Sequence, residues 1–355
     1  MDFPRDSFIK EINSARPEYR KAVLDYADNL LSKNLPVIFS LNHFAELFGI
    51  DINELRFILN NIDGFYAYYL IKKKHGGKRR IVSPYRNLKR IQEWILHEIL
   101  DKIQVHPQCK GFVRGSSTLQ NAKPHIGQQY IRKFDLKDFF ESITIDRIYG
   151  IFHSIGYSPA VSYDLATICT LKLSDNKYVS MSRLQKNWFG YLYSKEKPVL
   201  AQGAPTSPAL ANIAWKYALS NNVQYTRYAD DLTFSSEQIR SLPNTAFVNK
   251  VIQEEGLTLN YSKTGTYGRC SRQMVTGILI DGEKPRVPQK FKRQIYRHLH
   301  FCKKFGAKNH FEHIMPQHTN ARQWLYGKIM YVYSIEPEEA NKMLKLAESL
   351  EWGIM

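Results

Sequence analysis

Residues 225–235, Tyr225-Thr226-Arg227-Tyr228-Ala229-Asp230-Asp231-Leu232-Thr233-Phe234-Ser235, read as a pair of strands folded back at Asp230-Asp231. Aromatic and β-branched residues suit a half-buried pleated surface, and here they flank two adjacent carboxylates. Along a strand consecutive side chains point to opposite faces, but at a hairpin turn both can approach one place. Two acids beside a buried strand cost electrostatic energy unless cations neutralise them. An exposed Asp-Asp turn is the plainer alternative, so the meaning of this stretch depends on what the rest of the chain brings to it.

Two other stretches bear on it. Tyr130 to Asp135 is an apolar strand ending in an acid, within Phe134-Asp135-Leu136-Lys137-Asp138-Phe139-Phe140, and helical stretches follow near 145–155 and 160–171. A surface cap at a strand end would explain one such aspartate. Phosphoryl transfer by two metal ions, however, needs carboxylates from separate elements converging on ions roughly 3.5–4 Å apart. Asp135 at one strand end and the Asp230-Asp231 pair on a neighbouring hairpin meet that need. Asp135 and Asp230 stand 95 positions apart, which leaves room for a crossover between adjacent strands. Magnesium prefers oxygen ligands, which carboxylates and substrate phosphates provide. The third stretch is Gln202-Gly203-Ala204-Pro205-Thr206-Ser207-Pro208-Ala209-Leu210-Ala211-Asn212. Its glycine and prolines fix a rigid turn, and Ser207 is expected to cap a helix running from Pro208 to Leu219. A well-made loop-to-helix junction accounts equally for this stretch alone.

The surrounding chain is mixed. Residues 1–62 look helical: Ala22, Val23, Tyr26, Leu30 and Leu31 recur at helical spacing, and two short helices flank Gly49. Phe65 to Ile71 and Arg79 to Ser83 form a hairpin through the basic turn His75-Gly76-Gly77-Lys78. Asn87 is placed to cap a helix whose stripe is Leu88, Ile91, Trp94, Ile95, Ile99 and Ile103. The polar, aromatic segment 173–199 is expected to be an insertion or mobile loop. Met274 to Ile280 is expected to be a strand, and from Pro288 onward the pattern is helical and basic.

Lys and Arg outnumber Asp and Glu by 50 to 33, a formal charge of +17 that suggests a polyanionic partner. No run of eighteen apolar residues exists, which argues against a membrane. The N-terminal stretch has no apolar signal core, and Cys109, Cys169, Cys270 and Cys302 are scattered singly. Neither a zinc site nor a disulfide framework is supported, and a cytoplasmic location with reduced thiols is expected. At 355 residues and 43% apolar composition, the chain can bury a core and should divide into two or three subdomains.

FDLKDFF, QGAPTSP and YADD, in this order and spacing, resemble the palm motifs of reverse transcriptases. The hairpin Gly-Gly-Lys78-Arg79-Arg80-Ile-Val-Ser-Pro resembles the fingers motif, and Leu259-Asn260-Tyr261-Ser262-Lys263-Thr264 the later palm motif with its lysine. The resemblance runs from about residue 65 to 285. It implies an α/β right-hand polymerase: a helical N-terminal region over 1–62, fingers and palm over 63–285, and a basic helical thumb over 286–355. It further implies two Mg2+ ions held by Asp135, Asp230 and Asp231, with Lys78 and Arg80 gripping the triphosphate of an incoming dNTP. Gln202 would meet the nucleotide or template, and Lys263 would orient the triphosphate or protonate pyrophosphate. Phe140 would lie beneath the sugar and exclude a 2′-hydroxyl by bulk, favouring DNA over RNA synthesis.

A narrower resemblance is to retron enzymes. Asn121-Ala122-Lys123-Pro124-His125 fits their Asn-Ala-x-x-His signature, and Val275-Thr276-Gly277 their Val-Thr-Gly signature. The resemblance implies roles for Asn121 and His125 in recognising the cognate RNA or supporting the palm, and for Thr276 and Gly277 near the primer strand. It also implies a structured non-coding RNA as template and primer, a branched RNA–DNA product, antiphage defence, and a separate effector protein. Ala201 stands where proline is common in the family, and the 173–199 segment is longer than small retron enzymes lead one to expect. Two alternatives are a defence polymerase with protein-primed or untemplated synthesis, and a non-catalytic RNA-binding scaffold; the intact aspartates argue against the scaffold.

Overall fold

The computed structural model describes residues 4–73, 76–214, 223–315 and 320–352. The chain forms two compact units, each built from three separate stretches. The first comprises Met1–Arg114, Leu136–Ala218 and Thr245–Asn260; the second comprises Gly115–Asp135, Leu219–Asn244 and Tyr261–Met355. No described helix is long and apolar enough to cross a membrane.

The first unit begins with helices α1 (Arg5–Glu11), α2 (Pro17–Ser32), α3 (Leu41–Phe48) and α4 (Ile52–Asn60). Ser40 caps α3 by accepting from the His43 amide, and Gly49 ends it with φ +79°, a conformation open to glycine at little cost. Strands β1 (Tyr66–Lys72) and β2 (Lys78–Pro84) pair antiparallel, with Leu70 opposite Arg80 and Lys72 opposite Lys78. His75 of the expected basic turn lies outside the described residues. Helix α5 (Arg86–Glu98) buries Leu88, Ile91 and Ile95 of the expected stripe but ends before Ile99 and Ile103. Asn87 does not cap it: Tyr85 holds the N-cap position, and the Asn87 amide donates to Glu54 Oε1 at 3.1 Å. Later in the same unit come α7 (Ile145–Ile155), α8 (Pro159–Cys169) and the short strands β4 (Thr170–Leu171) and β5 (Val199–Leu200). The segment expected to be an insertion or mobile loop instead folds as α9 (Asp175–Ser180), α10 (Arg183–Phe189) and a 3-10 turn, Gly190–Leu192. Ser174 and Ser182 cap the two helices, and Tyr178 stacks on Tyr193 at 4.2 Å. Asp63, buried ahead of β1, accepts from both the amide and hydroxyl of Ser174 at 2.7 Å, fixing the start of the segment.

Gln202 and Gly203 are tied to β2. The Val82 amide donates to the Gln202 carbonyl at 2.9 Å, and Gly203 adopts φ +128°. A Cβ on Gly203 would lie 3.0 Å from the Val82 carbonyl oxygen, so both the backbone angle and the close approach require glycine here. Helix α11 (Ser207–Ile213) follows. Ser207 is its first residue rather than its cap; Thr206 occupies the N-cap position. Positions 215–219 of the expected helix lie outside the described residues. Asn212 anchors α11 by donating to the Gly111 carbonyl at 2.7 Å while accepting from the Cys109 thiol. Helix α12 (Thr245–Glu254) completes the unit.

The second unit is organised on a four-stranded antiparallel sheet in the order β6-β7-β3-β8. Its members are β3 (Tyr130–Asp135), β6 (Gln224–Tyr228), β7 (Asp231–Ser236) and β8 (Gly265–Gly268). Helix α6 (Thr118–Ala122) carries a reciprocal capping box between Ser117 and Gln120. Met274–Ile280 is not one strand but a hairpin, β9 (Met274–Val275) and β10 (Ile278–Leu279), turned by Thr276 and Gly277 at φ +45° and +83°. Two positive φ values match the primed turns that suit the right-handed twist of strands. The C-terminal helices are α13 (Gln289–Phe305), α14 (Ala307–Ile314), α15 (Ala321–Tyr333) and α16 (Pro337–Glu348). Val275, Ile278, Ile295, Leu299, Leu325, Ile329 and Met343 belong to one buried cluster that joins the hairpin to this bundle.

Candidate active site

The aspartates are assembled by strand register. Strand β3 lies beside β7 with Phe134 opposite Leu232 and Asp135 opposite Asp231. Strands β6 and β7 close on the pair Tyr228–Asp231, leaving Ala229 and Asp230 as a two-residue turn. Ala229 sits at φ +57°, a left-handed angle costing a non-glycine residue roughly 1–2 kcal/mol. The buried Arg227 guanidinium donates to the Ala229 carbonyl at 3.2 Å and steadies that turn. The sequence alone assigns no role to Arg227; a basic residue at an inward strand position is the available signal.

Three carboxylates therefore meet at one end of the sheet, and their electrostatics reflect it. Burial first, then the charges of Asp231 and Asp135, push Asp230 up to about 6. Burial also raises Asp231, against the opposing pull of Lys133. Lys263 Nζ donates to Asp135 Oδ1 at 2.8 Å, and this bond holds the lysine above its usual range. Lys263 and Lys133 against three acids still leave an excess of negative charge in a half-enclosed place, a donor set suited to a divalent cation. Among the described residues no group of three or more His, Cys, Asp or Glu side chains is arranged to hold a metal ion.

Asn121 and His125 lie inside the second unit, 1% and 0% exposed. His125 bridges two strands: Nδ1 lies 2.6 Å from Ser235 Oγ on β7 and Nε2 lies 2.8 Å from Thr226 Oγ1 on β6. Thr226 in turn donates to the Asn121 carbonyl at 3.2 Å. Burial drives the His125 pKa down to about 3, so the ring is neutral. Val275 is fully buried, Thr276 donates to the Thr118 carbonyl at 3.0 Å, and Gly277 is exposed at the hairpin tip. On α13, Ile295, Leu299 and Cys302 face inward, while Lys290, Arg293, Arg297, Lys303 and Lys304 are exposed. Lys292 is not part of that exposed set; it pairs with Glu336 at 2.8 Å.

The remaining expected residues belong to the first unit. Lys78 and Arg80 share one side of β2, while Arg79 alternates to the other. Arg80 Nη2 donates to Asp138 Oδ1 at 2.8 Å, and its guanidinium lies 4.0 Å from the centre of the Tyr191 ring. The sequence alone assigns no role to Asp138, within FDLKDFF, or to Tyr191. Phe140 is half-buried, its ring 5.5 Å from Phe139 and 6.4 Å from the exposed Phe112. It is thus not enclosed as a core residue.

Residues 71–280 match the family model described as reverse transcriptase (RNA-dependent DNA polymerase). The chain belongs to this family and is an RNA-directed DNA polymerase. Retron Ec86 reverse transcriptase of Escherichia coli is 32% identical over 335 residues, 91% of this chain and 92% of that protein. Retron Mx65 and Mx162 reverse transcriptases of Myxococcus xanthus are 32% and 30% identical, over 79% and 88% of this chain but 64% and 67% of their own lengths. Within the family, this chain is of the retron type.

The His125 bridge makes a stability prediction. A histidine pKa depressed on folding stabilises fully above its unfolded value of about 6.5, and that contribution is lost as pH falls toward about 3. In urea unfolding, wild type should exceed His125→Gln at pH 7. The gap should narrow by roughly 1 kcal/mol at pH 5.5, because the loss runs at about 1.4 kcal/mol per pH unit once below the unfolded value. A gap independent of pH would contradict a buried neutral imidazole.

Proposed function

We propose that this polymerase copies a structured non-coding RNA into DNA using two magnesium ions held by Asp135, Asp230 and Asp231. The observation that carries the reading is the register setting Asp135 opposite Asp231, with Asp230 in the adjoining turn. Bound magnesium would make the attacking hydroxyl more acidic and stabilise the leaving pyrophosphate. Lys263, paired with Asp135, balances the cluster before metal enters and is then available to the triphosphate. Lys78 and Arg80 bind the triphosphate of the incoming dNTP, the guanidinium through paired N–H donors and the lysine as a point charge. Gln202, tied to β2 through its carbonyl, meets the nucleotide or template with its side chain. Phe140 lies under the sugar and excludes a 2′-hydroxyl.

By function, residues 1–62 form a helical N-terminal region, 63–285 the fingers and palm, and 286–355 the thumb. The exposed lysines and arginines of α13 suit phosphate contacts with a template–primer duplex. Asn121 and His125, being enclosed, act on RNA by holding the sheet rather than by touching bases. Direct contacts fall to the Thr276–Gly277 tip and the basic helical face. The named relatives are retron enzymes, which favours priming from a 2′-hydroxyl of the same RNA to give branched RNA–DNA. It also favours a cytoplasmic role in antiphage defence with a separate effector.

Primer extension on an RNA template with magnesium tests the metal assignment. The double variant Asp230→Asn, Asp231→Asn should fold like wild type and lose at least about a thousandfold in rate, because the ions supply much of the electrostatic stabilisation of the transition state. Activity within a few-fold of wild type would reject these ligands.

Single-nucleotide extension tests the sugar pocket. Phe140→Ala should raise ribonucleotide incorporation relative to deoxyribonucleotide by tenfold or more, on the order of 1.4 kcal/mol of lost discrimination. An unchanged ratio in a folded, active variant would reduce Phe140 to packing.

A further inference from the structure

The segment 173–199 has no part in the reading given so far, yet its aromatic residues lie against the basic strand of the hairpin. Lys78 Nζ lies 5.8 Å from the centre of the Trp188 ring, and the Arg80 guanidinium lies 4.0 Å from that of Tyr191. The spacing explains the pairing. Residues two apart on a strand share a face about 6.6 Å apart, so Lys78 and Arg80 present to one side, where Trp188 near the end of α10 meets the first and Tyr191 in the following 3-10 turn meets the second. The segment is itself anchored at several points. Asp63 holds Ser174, Tyr68 packs edge-on to Phe189 at 5.5 Å, and the Tyr191 hydroxyl donates to the buried Glu141 at 3.0 Å.

Arg80 is thus fixed on two sides. Its guanidinium lies over the Tyr191 ring, and its Nη2 donates to the Asp138 carboxylate, an anion held 2.8 Å away. A long, flexible arginine would otherwise lose its rotamer freedom when it met a phosphate; contact with Tyr191 and Asp138 removes that freedom beforehand, and only Nη2 is engaged by the carboxylate, leaving the other guanidinium N–H groups for an anion. We propose that Tyr191 is a positioning residue for nucleotide binding, acting through Arg80 by holding the guanidinium plane ready for the triphosphate. The inference rests on the reading that Arg80 binds the triphosphate. It assigns to the 173–199 segment a part in nucleotide affinity.

The test is steady-state dNTP kinetics on a fixed RNA template–primer, with duplex affinity measured separately. Tyr191→Leu should raise the dNTP KM five- to tenfold, leaving kcat within twofold and duplex affinity unchanged. Tyr191→Phe, which keeps the ring and loses only the hydroxyl, should stay within twofold of wild type in KM. Tyr191→Met is a second aliphatic change, so the result is read from whichever variant melts like wild type. In an Arg80→Gln background, the aliphatic change should produce no further rise. The proposal is overturned if a folded aliphatic variant keeps the wild-type KM, or if Tyr191→Phe is as impaired as the aliphatic change. An aliphatic change that raises KM equally with and without Arg80 overturns it too. An unchanged KM in Arg80→Gln itself would instead reject the triphosphate reading. A raised KM there, with Tyr191 variants unaffected, would reject only the role of Tyr191.

Discussion

The pairing of β3 with β7 sets Asp135 opposite Asp231, and much of the second unit serves that register. A slip of one residue would turn every side chain of β3 to the other face and separate the carboxylates. Apolar contacts oppose such a slip: Phe134 meets Phe234 edge-on at 5.7 Å, and Phe234 stacks on Tyr225 at 4.8 Å. His125 adds a polar bridge, reaching a hydroxyl on β6 and another on β7 from one enclosed ring. Buried polar bridges specify geometry because either hydroxyl left without its partner would be costly.

That register is held against an electrostatic penalty. Raising an aspartate from its usual range to about 6 corresponds to roughly 3 kcal/mol against the charged form. The left-handed angle at Ala229 adds to it. Strain and like charge gathered at one turn persist only where the surrounding structure over-determines them. Here the surroundings are the sheet, the Arg227 bond to the turn, and Lys263 against Asp135.

Much of this is legible in the sequence, and the failures have identifiable causes. The strand at 130–135 and the strand pair about Asp230 follow from short apolar runs ending in acids, which periodicity reads well. Helices α3 and α4 follow from their apolar spacing about Gly49. The 173–199 segment misleads because its helices are short, polar and stabilised by aromatic stacking and contacts with β1 and β2, none of which leaves a long periodic stripe. The Thr276–Gly277 turn reads as continuous strand because Val275 and Ile278 are both apolar; the turn chemistry resides in the glycine between them. Ser207 and Asn87 suggest caps by residue type alone, though a cap also requires the position just outside the helix. The burial of Asn121 and His125 cannot be read from a short motif, since it depends on hydroxyls about a hundred residues away. Arg80 is legible as a basic strand residue, but its partners Asp138 and Tyr191 come from tertiary packing.

The most direct test of the carboxylate cluster is thermal unfolding at pH 7.5 with and without magnesium. Because burial, then the charges of Asp231 and Asp135, penalise the charged form of Asp230, replacing it with neutral asparagine removes a buried charge and its repulsion. In chelator, Asp230→Asn should therefore unfold at a higher temperature than wild type, and magnesium should stabilise wild type by several degrees and the variant little. A variant less stable than wild type in chelator that still gains the full stabilisation from magnesium would contradict the account.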